Sequence, residues 1–420
     1  MTNISTTDGP FYLCPMHLLV FDDPAIRPHL LPFTFTRPVG ALRCGILTIA
    51  EKWQRRLATP SVGFLTEPYL QAKFPVCADG VVTGPALVVN GAVCPDALLV
   101  RQVQALAPNE GLYCGATLVA AHLADAALVA ELIQDGLRQK EVAEPVTVIS
   151  RPWHLFLRNG TEIRRDFELL TAGRTSAPIA DKHTIVYGAE NIFLEEGVQI
   201  RAAILNAENG PIYLGKNSQV HEGAIISGPL ALCEGAHVNP GARLRGDNTI
   251  GPYCKVGGEI GNSILLGYSN KGHDGYLGNS VIGEWCNLGA DTNTSNLKNN
   301  YAPVKVWSHV EGRFVDTGQT FCGLLMGDHS KCGINTMFNT GTVVGVGANI
   351  FGAGFPRQFI PSFSWGGAAG FETFKLPKVA EVAERVMARR NIPYDEVEQA
   401  LMQRVFEATA ADRVWERAKS

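Results

Sequence analysis

The sequence has 420 residues, of which 46% are hydrophobic and 18% charged, and its formal net charge is −4. This length predicts more than one domain, and the composition is typical of a soluble globular protein. The slightly acidic balance argues against a broad basic surface for nucleic acid or anionic lipid, and the longest apolar runs are too short to cross a bilayer.

Residues 1–180 predict an α/β domain in which short strands alternate with helices. Strands are expected at residues 18–21, 61–65 and 86–91, a helix at 45–57, and a largely helical stretch at 117–139. The alternation favours a mostly parallel, Rossmann-like sheet flanked by helices.

A six-residue repeat dominates residues 181–365. Branched aliphatic residues occupy every sixth position from Leu214 to Val256, and a second series in the same step runs from Met326 to Ile350. This period fits a parallel β-helix of triangular cross-section, in which three hexapeptides form one coil and the repeated residue points inward. Known solenoids with this repeat usually close as threefold assemblies, so we predict a homotrimer.

Two segments interrupt the repeat, at about residues 258–281 and 293–325. The second contains a predicted hairpin insertion at about 298–322, with its turn at Glu311–Gly312. Insertions in repeat proteins tend to lie on one functional face. Residues 366–420 predict a helical segment that caps the last coil.

Three polar residues are candidates for chemistry: His273, Asn287 and Asn296. His273 lies among the turn formers Gly272, Asp274 and Gly275, and an exposed imidazole can take a proton near neutral pH. Asn287 precedes an inward residue, and an asparagine side chain can orient sugar hydroxyls and amines. An ordinary surface histidine and ordinary turn asparagines are the alternative reading of these positions.

The segment from His273 to Asn296 has the pattern His-x-x-Tyr-Leu-Gly-Asn-Ser-Val-Ile-Gly-Glu-Trp-Cys-Asn-Leu-Gly-Ala, followed by Thr292 and Asn296. It resembles the acetyltransferase site of the bifunctional glucosamine-1-phosphate N-acetyltransferase / N-acetylglucosamine-1-phosphate uridylyltransferase family. The similarity covers about residues 190–355. Phe33-Thr-Phe-Thr-Arg-Pro and Phe167-Glu-Leu-Leu-Thr resemble an alternative lineage of that family, whose fold is a nucleotidylyltransferase-like α/β domain followed by a left-handed parallel β-helix.

The resemblance implies acetyl-CoA-dependent acetylation of glucosamine 1-phosphate, coupled to nucleotidyl transfer that yields UDP-N-acetylglucosamine. His273 would be the general base, and the N–H near Ala290 would hold the oxyanion. The other implied contacts are those of the sugar phosphate, with Tyr276, Asn287, Asn296 and either Lys298 or Lys305, and that of acetyl-CoA, with Gly352. Where well-known members carry phosphate-binding cations, this chain has Asn239 and Gly257–Gly258, and Lys271, Arg243 or Arg245 would replace them.

The N-terminal domain departs further from the family. No glycine-rich loop follows the first strand, and Arg37 and Arg43 would be the remaining phosphate ligands. Asn90-Gly91-Ala92 stands where the family has Asn-Gly-Asp for Mg²⁺, so Asp22 or Asp23 would have to supply the missing carboxylate. The nucleotidyl site is therefore expected to be degenerate, with Mg²⁺ as its cofactor if it is active.

Two other functions fit parts of the sequence. One is a regulatory or scaffold protein that binds sugar nucleotides. The other is a metal-dependent hydrolyase similar to γ-carbonic anhydrases, which would need three converging histidines, but His221, His237 and His329 fall at different coil positions. We expect sugar 1-phosphates and nucleotides as partners, and neither nucleic acid nor membrane. The scattered cysteines and the absence of a secretory signal pattern at the N-terminus predict a cytoplasmic location.

Overall fold

The computed structural model describes residues 16–77, 82–128 and 136–417. Within those residues, none of the helices is both long and apolar enough to cross a membrane. The predicted fold class is confirmed: an α/β domain precedes a parallel β-solenoid, and helices follow it.

The N-terminal domain contains a six-stranded mixed sheet. Its spatial order is Gly63–Leu65, His17–Phe21, Ala86–Asn90, Thr117–Leu123, Glu110–Cys114 and Arg138–Glu141. The first three strands are mutually parallel, and Thr117–Leu123 is antiparallel to both its neighbours. A small antiparallel pair, Val93–Cys94 and Thr147–Val148, and the helices Ile49–Leu57, Ala97–Gln104 and Pro152–Thr171 complete it.

The helix predicted over residues 117–139 is wrong for the described part of that stretch. Thr117–Leu123 is a strand, Ala126–Leu128 is a single 3-10 turn and Arg138–Glu141 is a strand, whereas residues 129–135 lie outside the described ranges. The strand is almost continuously buried. A continuous apolar run of this kind carries no period that separates a central strand from a buried helix.

The long helix Pro152–Thr171 packs between the α/β domain and the solenoid. Asn159 accepts hydrogen bonds from the Gly45 amide at 2.7 Å and from the Thr249 hydroxyl at 3.0 Å. Gly160 is required beside it, because a Cβ atom there would lie 2.0 Å from the Asp247 carboxylate. The helix and this coil are thus in close contact at Gly160.

The solenoid has three faces made of short parallel strands. Face 1 comprises Ile192–Leu194, Ile212–Leu214, Leu230–Leu232, Asn248–Ile250, Ile264–Gly267, Val281–Glu284, Leu325–Met326, Val343–Val344 and Phe359–Ile360. Face 2 comprises Gln199–Ile200, Gln219–Val220, His237–Val238, Lys255–Val256, Asn270–Lys271, Asn287–Leu288, Lys331–Cys332, Asn349–Ile350 and Ser364–Gly367, to which Gly370–Thr373 adds antiparallel. Face 3 comprises Ile185–Tyr187, Ile204–Asn206, Ile225–Ser227, Arg243–Arg245, Glu259–Gly261 and Tyr276–Gly278, and beyond them lies the pair Asn293–Thr294 and Met337–Phe338.

The predicted inward residues form the interior of the solenoid. Both hexapeptide series, from Leu214 to Val256 and from Met326 to Ile350, are buried, and so are Ile282 and Leu288 between them. Removing each of these side chains from water supplies about 1.5–3 kcal/mol of hydrophobic stabilisation. The repeat read from the sequence is therefore the packing of the core.

The insertion forms the predicted antiparallel hairpin, Lys305–Ser308 with Arg313–Asp316. Gly312 occupies its turn with φ +61°, a conformation that favours glycine. Val304 and Val306 are buried in the same hydrophobic cluster as the core of the N-terminal domain. The hairpin therefore fastens the α/β domain to the solenoid.

The C-terminal helices Leu376–Ala388 and Glu396–Ala408, followed by the short helix Val414–Arg417, lie against the last coils and against the N-terminal domain. Val379 and Met402 share a hydrophobic cluster with Phe363 of the last coils and with Phe35 and Leu70 of the N-terminal domain. These helices therefore contact both the N-terminal domain and the last coils. The sequence predicts only the contact with the last coils.

A buried ion cluster also connects the two large domains. The guanidinium of Arg37 contacts the carboxylates of Asp328, a short contact, and of Glu284 at 2.8 Å, and Thr36 donates a hydrogen bond to Asp328 at 2.8 Å. Arg37 is 4% exposed and Asp328 3%. The carboxylates raise the pKa of Arg37 further above its already high usual value.

Replacing Arg37 with alanine should lower the free energy of unfolding by about 3–5 kcal/mol, because Asp328 would keep a buried charge without its cation. Urea denaturation would measure the change. The exposed ion pair Arg313–Glu311 provides the control, and Arg313→Ala should change stability by less than about 1 kcal/mol. Equal effects of the two substitutions would contradict the assigned role of Arg37.

Candidate active site

One cleft of about 550 Å³ lies between the outer surface of face 2 and the end of the helix Leu376–Ala388. Its walls include the predicted residues His273, Asn287 and Ala290. The helix supplies Val386, and Arg389 and Arg390 follow directly after its end. No local pattern in the sequence indicates that this helix covers the site.

The strands of face 2 explain why polar side chains line the cleft. Each of these strands has an inward residue, such as Val256 or Leu288, and the residue before it faces out. Backbone register then stacks the outward residues of successive coils in one row: Lys255, Asn270, Asn287 and Lys331. Asn287 thus owes its exposure to the burial of Leu288.

Asn270 is a candidate that our reading of the sequence missed. It lies directly beside Asn287 in the register and lines the cleft. Its side-chain oxygen is buried and accepts no hydrogen bond from any residue that the structure describes. Asn287 precedes the aliphatic residue Leu288, whereas the inward residue after Asn270 is Lys271, so the sequence lacks the same signal at Asn270.

His273 lies on the loop 272–275, which projects at the corner between face 2 and face 3. Its side chain is exposed and reaches the cleft. Ala290 lies at the same corner of the next coil. No described residue accepts a hydrogen bond from the Ala290 amide, so this N–H is available to a ligand.

Four cations surround the cleft without any carboxylate among its lining residues. They are Lys255, Lys331, Arg389 and Arg390, and none of the four takes part in an ion pair within the described residues. Lys331 donates to the carbonyl oxygen of His329 at 3.0 Å, and burial lowers its pKa. Uncompensated positive charge of this kind is suited to an anionic ligand.

Stacked aromatic rings form one wall of the cleft. The Tyr268 and Trp285 rings lie 4.2 Å apart and nearly parallel, and Tyr253 extends the stack at 5.5 Å from Tyr268. All three occupy corner positions with positive φ, where successive coils place them one above another. Tyr268 and Trp285 line the cleft.

Tyr276 and Asn296 form a second group outside this cleft. The Asn296 amide donates to the Tyr276 hydroxyl at 3.0 Å and to the Asn279 side chain at 2.7 Å. Tyr276 lies on face 3 and is partly exposed. The four candidate side chains of the segment 273–296 thus lie on two sides of the solenoid. His273 and Asn287 line the cleft, whereas Tyr276 and Asn296 lie at face 3.

The remaining solenoid candidates do not reach the cleft. Lys298 donates to the Pro303 carbonyl at 2.8 Å, and Lys305 lies on the exposed edge of the hairpin. Gly352 is exposed with φ +102° and has open space around it. The other three cations predicted to bind phosphate are also engaged or buried. Arg243 and Arg245 form ion pairs with Glu259, and Lys271 is buried inside the solenoid.

The predicted nucleotide and metal ligands of the N-terminal domain already have partners within the chain. Asp22 accepts hydrogen bonds from Arg27, from the Thr66 hydroxyl and from the Val39 amide. Burial raises the pKa of Asp22. Asp23 accepts from the Ala25 amide and from the Asn90 side chain.

These carboxylates do not fit a magnesium ion as they stand, because each of their oxygens is engaged. Among the described residues, no group of three or more histidines, cysteines or carboxylates is placed to hold a metal. Arg43 lies in the interior, where it bonds to the Ile46 carbonyl and approaches Glu51 at 3.7 Å. Together with the Arg37 cluster, this leaves none of the predicted phosphate ligands of the domain free.

The three histidines considered for a metal centre are not gathered in one place. The rings of His221 and His237 lie 6.1 Å apart, whereas His329 is buried and stacks on Trp285.

Comparison with known proteins supports the domain arrangement. Residues 18–175 match the model of the sugar nucleotidyl transferase family. The chain is 30% identical over 144 residues to the bifunctional sugar-1-phosphate nucleotidylyltransferase/acetyltransferase of Sulfurisphaera tokodaii, an alignment that covers 34% of this chain and 35% of that protein. It is also 30% identical over 205 residues to the bifunctional protein GlmU of Methanococcus aeolicus, covering 48% of this chain and 43% of the relative.

These alignments span less than half the length of the curated relatives. Among solved structures, the polysialic-acid-specific acetyltransferase NeuO aligns with 46% of this chain and 84% of its own, at 15% identity and a TM-score of 0.25, which is too low to support any inference. The N-terminal part of this chain therefore matches the sugar nucleotidyl transferases, and the chain is similar over part of its length to bifunctional nucleotidylyltransferase/acetyltransferase proteins.

Proposed function

We propose that this chain is an acetyl-CoA-dependent N-acetyltransferase that acts on an amino-sugar 1-phosphate, with glucosamine 1-phosphate as the first candidate. The observation that carries the proposal is that His273, Asn287 and the unpartnered amide of Ala290 line one cleft with four unpaired cations. This reaction needs a base, an amide side chain that can orient hydroxyls, a hydrogen-bond donor to the oxyanion and a site for an anion.

In the proposed mechanism the sugar amine attacks the carbonyl carbon of the acetyl thioester. The His273 imidazole takes the proton that the amine loses as the C–N bond forms. The Ala290 amide donates a hydrogen bond to the tetrahedral oxyanion. Collapse of the intermediate breaks the C–S bond, and the imidazolium returns the proton to the leaving thiolate, so that the products are the N-acetyl sugar phosphate and the free thiol.

The cations of the cleft would bind the phosphate of the sugar. The four basic residues lie on two sides, with Lys255 and Lys331 on face 2 and Arg389 and Arg390 beyond the helix end. The side chains of Asn270 and Asn287 lie in the same row as the two lysines. Sugar hydroxyls would satisfy the unpartnered oxygen of Asn270.

A homotrimer remains part of the proposal. Tyr276 and Asn296 lie at face 3, whereas the N-terminal domain packs on face 1 and the C-terminal helix borders face 2. Ile185, Tyr187 and Ile225 of face 3 are large exposed apolar residues, which is unusual for a surface that stays in water. Contact through this face would bring Tyr276 and Asn296 to the seam between two copies.

Nucleotidyl transfer is the second candidate activity, and the family match over residues 18–175 favours it. The residues expected to bind the nucleotide and Mg²⁺ are instead engaged within the chain. We therefore place the acetyl transfer first and treat the α/β domain as a degenerate relative of active nucleotidyl transferases.

Replacing His273 with alanine should lower kcat for acetyl transfer by about 10²-fold or more, the effect of losing a general base. Release of free thiol from acetyl-CoA, dependent on glucosamine 1-phosphate, measures the rate. His183→Ala is the matched control, because His183 is exposed near the first coil and away from the cleft. Near-normal turnover of His273→Ala would remove this residue from the mechanism.

Inorganic phosphate should bind in the cleft, and replacing both Lys255 and Arg389 with alanine should weaken that binding about tenfold, or ~1.4 kcal/mol. Isothermal titration calorimetry would report the dissociation constants. Arg357→Ala should leave them unchanged, since Arg357 is exposed outside the cleft. Unaltered affinity in the double variant would argue against phosphate binding at these residues.

Incubation with acetyl-CoA, glucosamine 1-phosphate, UTP and Mg²⁺ should yield the acetylated sugar phosphate without a sugar nucleotide. Mass spectrometry of the products distinguishes the two. Formation of UDP-N-acetylglucosamine would show that the nucleotidyl site functions despite its internal contacts, and absence of both products would contradict the proposed function.

A further inference from the structure

A lysine occupies the interior of the solenoid beneath the His273 loop. The register pairs Lys271 with Val256 in the inward row of face 2, where the neighbouring members are Val238, Leu288 and Cys332. Lys271 is 1% exposed. Lys271 forms no ion pair with a carboxylate among the described residues. Its ammonium therefore bonds to other groups.

Those groups are main-chain carbonyls of the loop that carries His273. The Lys271 Nζ atom donates to the carbonyl oxygen of His273 at 2.6 Å and to that of Asp274 at 3.2 Å. The other two carbonyls of the loop 272–275 also have donors: Asn239 binds Gly272 at 2.8 Å, and the Glu259 amide binds Gly275 at 3.1 Å. Half of the anchoring of the loop therefore depends on one side chain.

Three coils of the solenoid close the same corner with a backbone amide instead of a side chain. The carbonyl two residues after the inward residue accepts a hydrogen bond from a backbone amide of the next coil. This holds for Ala202 with Gly223 at 2.9 Å, for Glu222 with Gly241 at 3.0 Å and for Ala290 with Asn335 at 2.8 Å. No backbone amide of the described residues reaches the carbonyl of His273, and Lys271 supplies the donor there instead.

The structure leads us to propose that Lys271 is a positioning residue, whose buried ammonium clamps the main chain at His273 and so holds the imidazole where the proposed acetyl transfer requires it. The effect of Lys271 on catalysis rests on the proposed function. The clamp itself rests only on the two hydrogen bonds to the loop. Displacing a catalytic group by about 1 Å can cost two orders of magnitude in rate.

The position carries a cost that packing does not explain. An ammonium inside an apolar row loses its hydration, and this burial lowers the pKa of Lys271 to about 8. An apolar side chain of similar length would fill the same space without that penalty. The two hydrogen bonds to the loop offset this desolvation cost, which a hydrophobic residue at position 271 would avoid.

The test compares Lys271→Met with a packing control in the same inward row. Lys271→Met should leave the melting temperature unchanged or raise it, increase amide hydrogen exchange in peptides spanning residues 270–278 about tenfold, and lower kcat about tenfold while KM stays within about threefold. Val220→Ala lies in the same row, two coils before Val256, and should lower the melting temperature while exchange at 270–278 and kcat stay near normal.

The outcomes separate the two proposals. Unchanged hydrogen exchange over 270–278 in Lys271→Met would overturn the clamp, whatever the activity. Faster exchange together with normal kcat would show that the clamp orders the loop without serving turnover, which would overturn its positioning role. If the unmodified protein transfers no acetyl group, the proposed function fails, and the exchange measurement still decides whether Lys271 holds the loop.

Discussion

Alternation along the two-residue strands of face 2 is the constraint on which the candidate site depends. Burying one residue of each strand in the solenoid forces the preceding residue outward, and parallel register then stacks these outward residues into a row. The hydrophobic interior thus determines where Lys255, Asn270, Asn287 and Lys331 lie, although none of them takes part in it. Core packing and the placement of polar groups are two results of the same repeat.

The sequence predicted the parts of the fold that are local and periodic. The hexapeptide series identified the inward residues because each coil repeats the same environment, and the hairpin turn followed from Glu311–Gly312. The strand Thr117–Leu123 was mistaken for a helix because it is buried on both sides and shows no alternation. Docking of the C-terminal helix against face 2 depends on tertiary contacts that no local pattern records.

The same distinction applies to the site. His273 could be recognised from its place among turn formers, Asn287 from its position before an aliphatic inward residue, and both from the resemblance of their segment. The contribution of Arg389 and Arg390 was hidden because they lie more than a hundred residues away in sequence. A lysine is rarely buried without a charged partner, so the sequence predicts an external position for Lys271, whereas the structure places it among aliphatic side chains. The hydrogen bonds from its ammonium to main-chain carbonyls of the loop compensate for that burial.

The segment around Arg37 joins the N-terminal domain to the solenoid. Arg37 lies in the position where a phosphate ligand was expected, yet its partners are carboxylates of the solenoid. Thr36 beside it bonds to the same Asp328. Residues that would contact a nucleotide in an open site instead hold two domains together, which gives the α/β domain a structural reason to remain in the chain.

The carboxylate-free cleft has a kinetic consequence. The molecule as a whole carries a formal charge of −4, so an anionic ligand would meet a weakly repulsive molecule whose cleft is lined by cations. Such a contrast guides diffusing anions toward the cleft and speeds their encounter with it. Because mobile ions shield charges beyond about 10 Å at 0.1 M ionic strength, the capture rate should fall as salt is added, while the chemical step inside the cleft is affected far less.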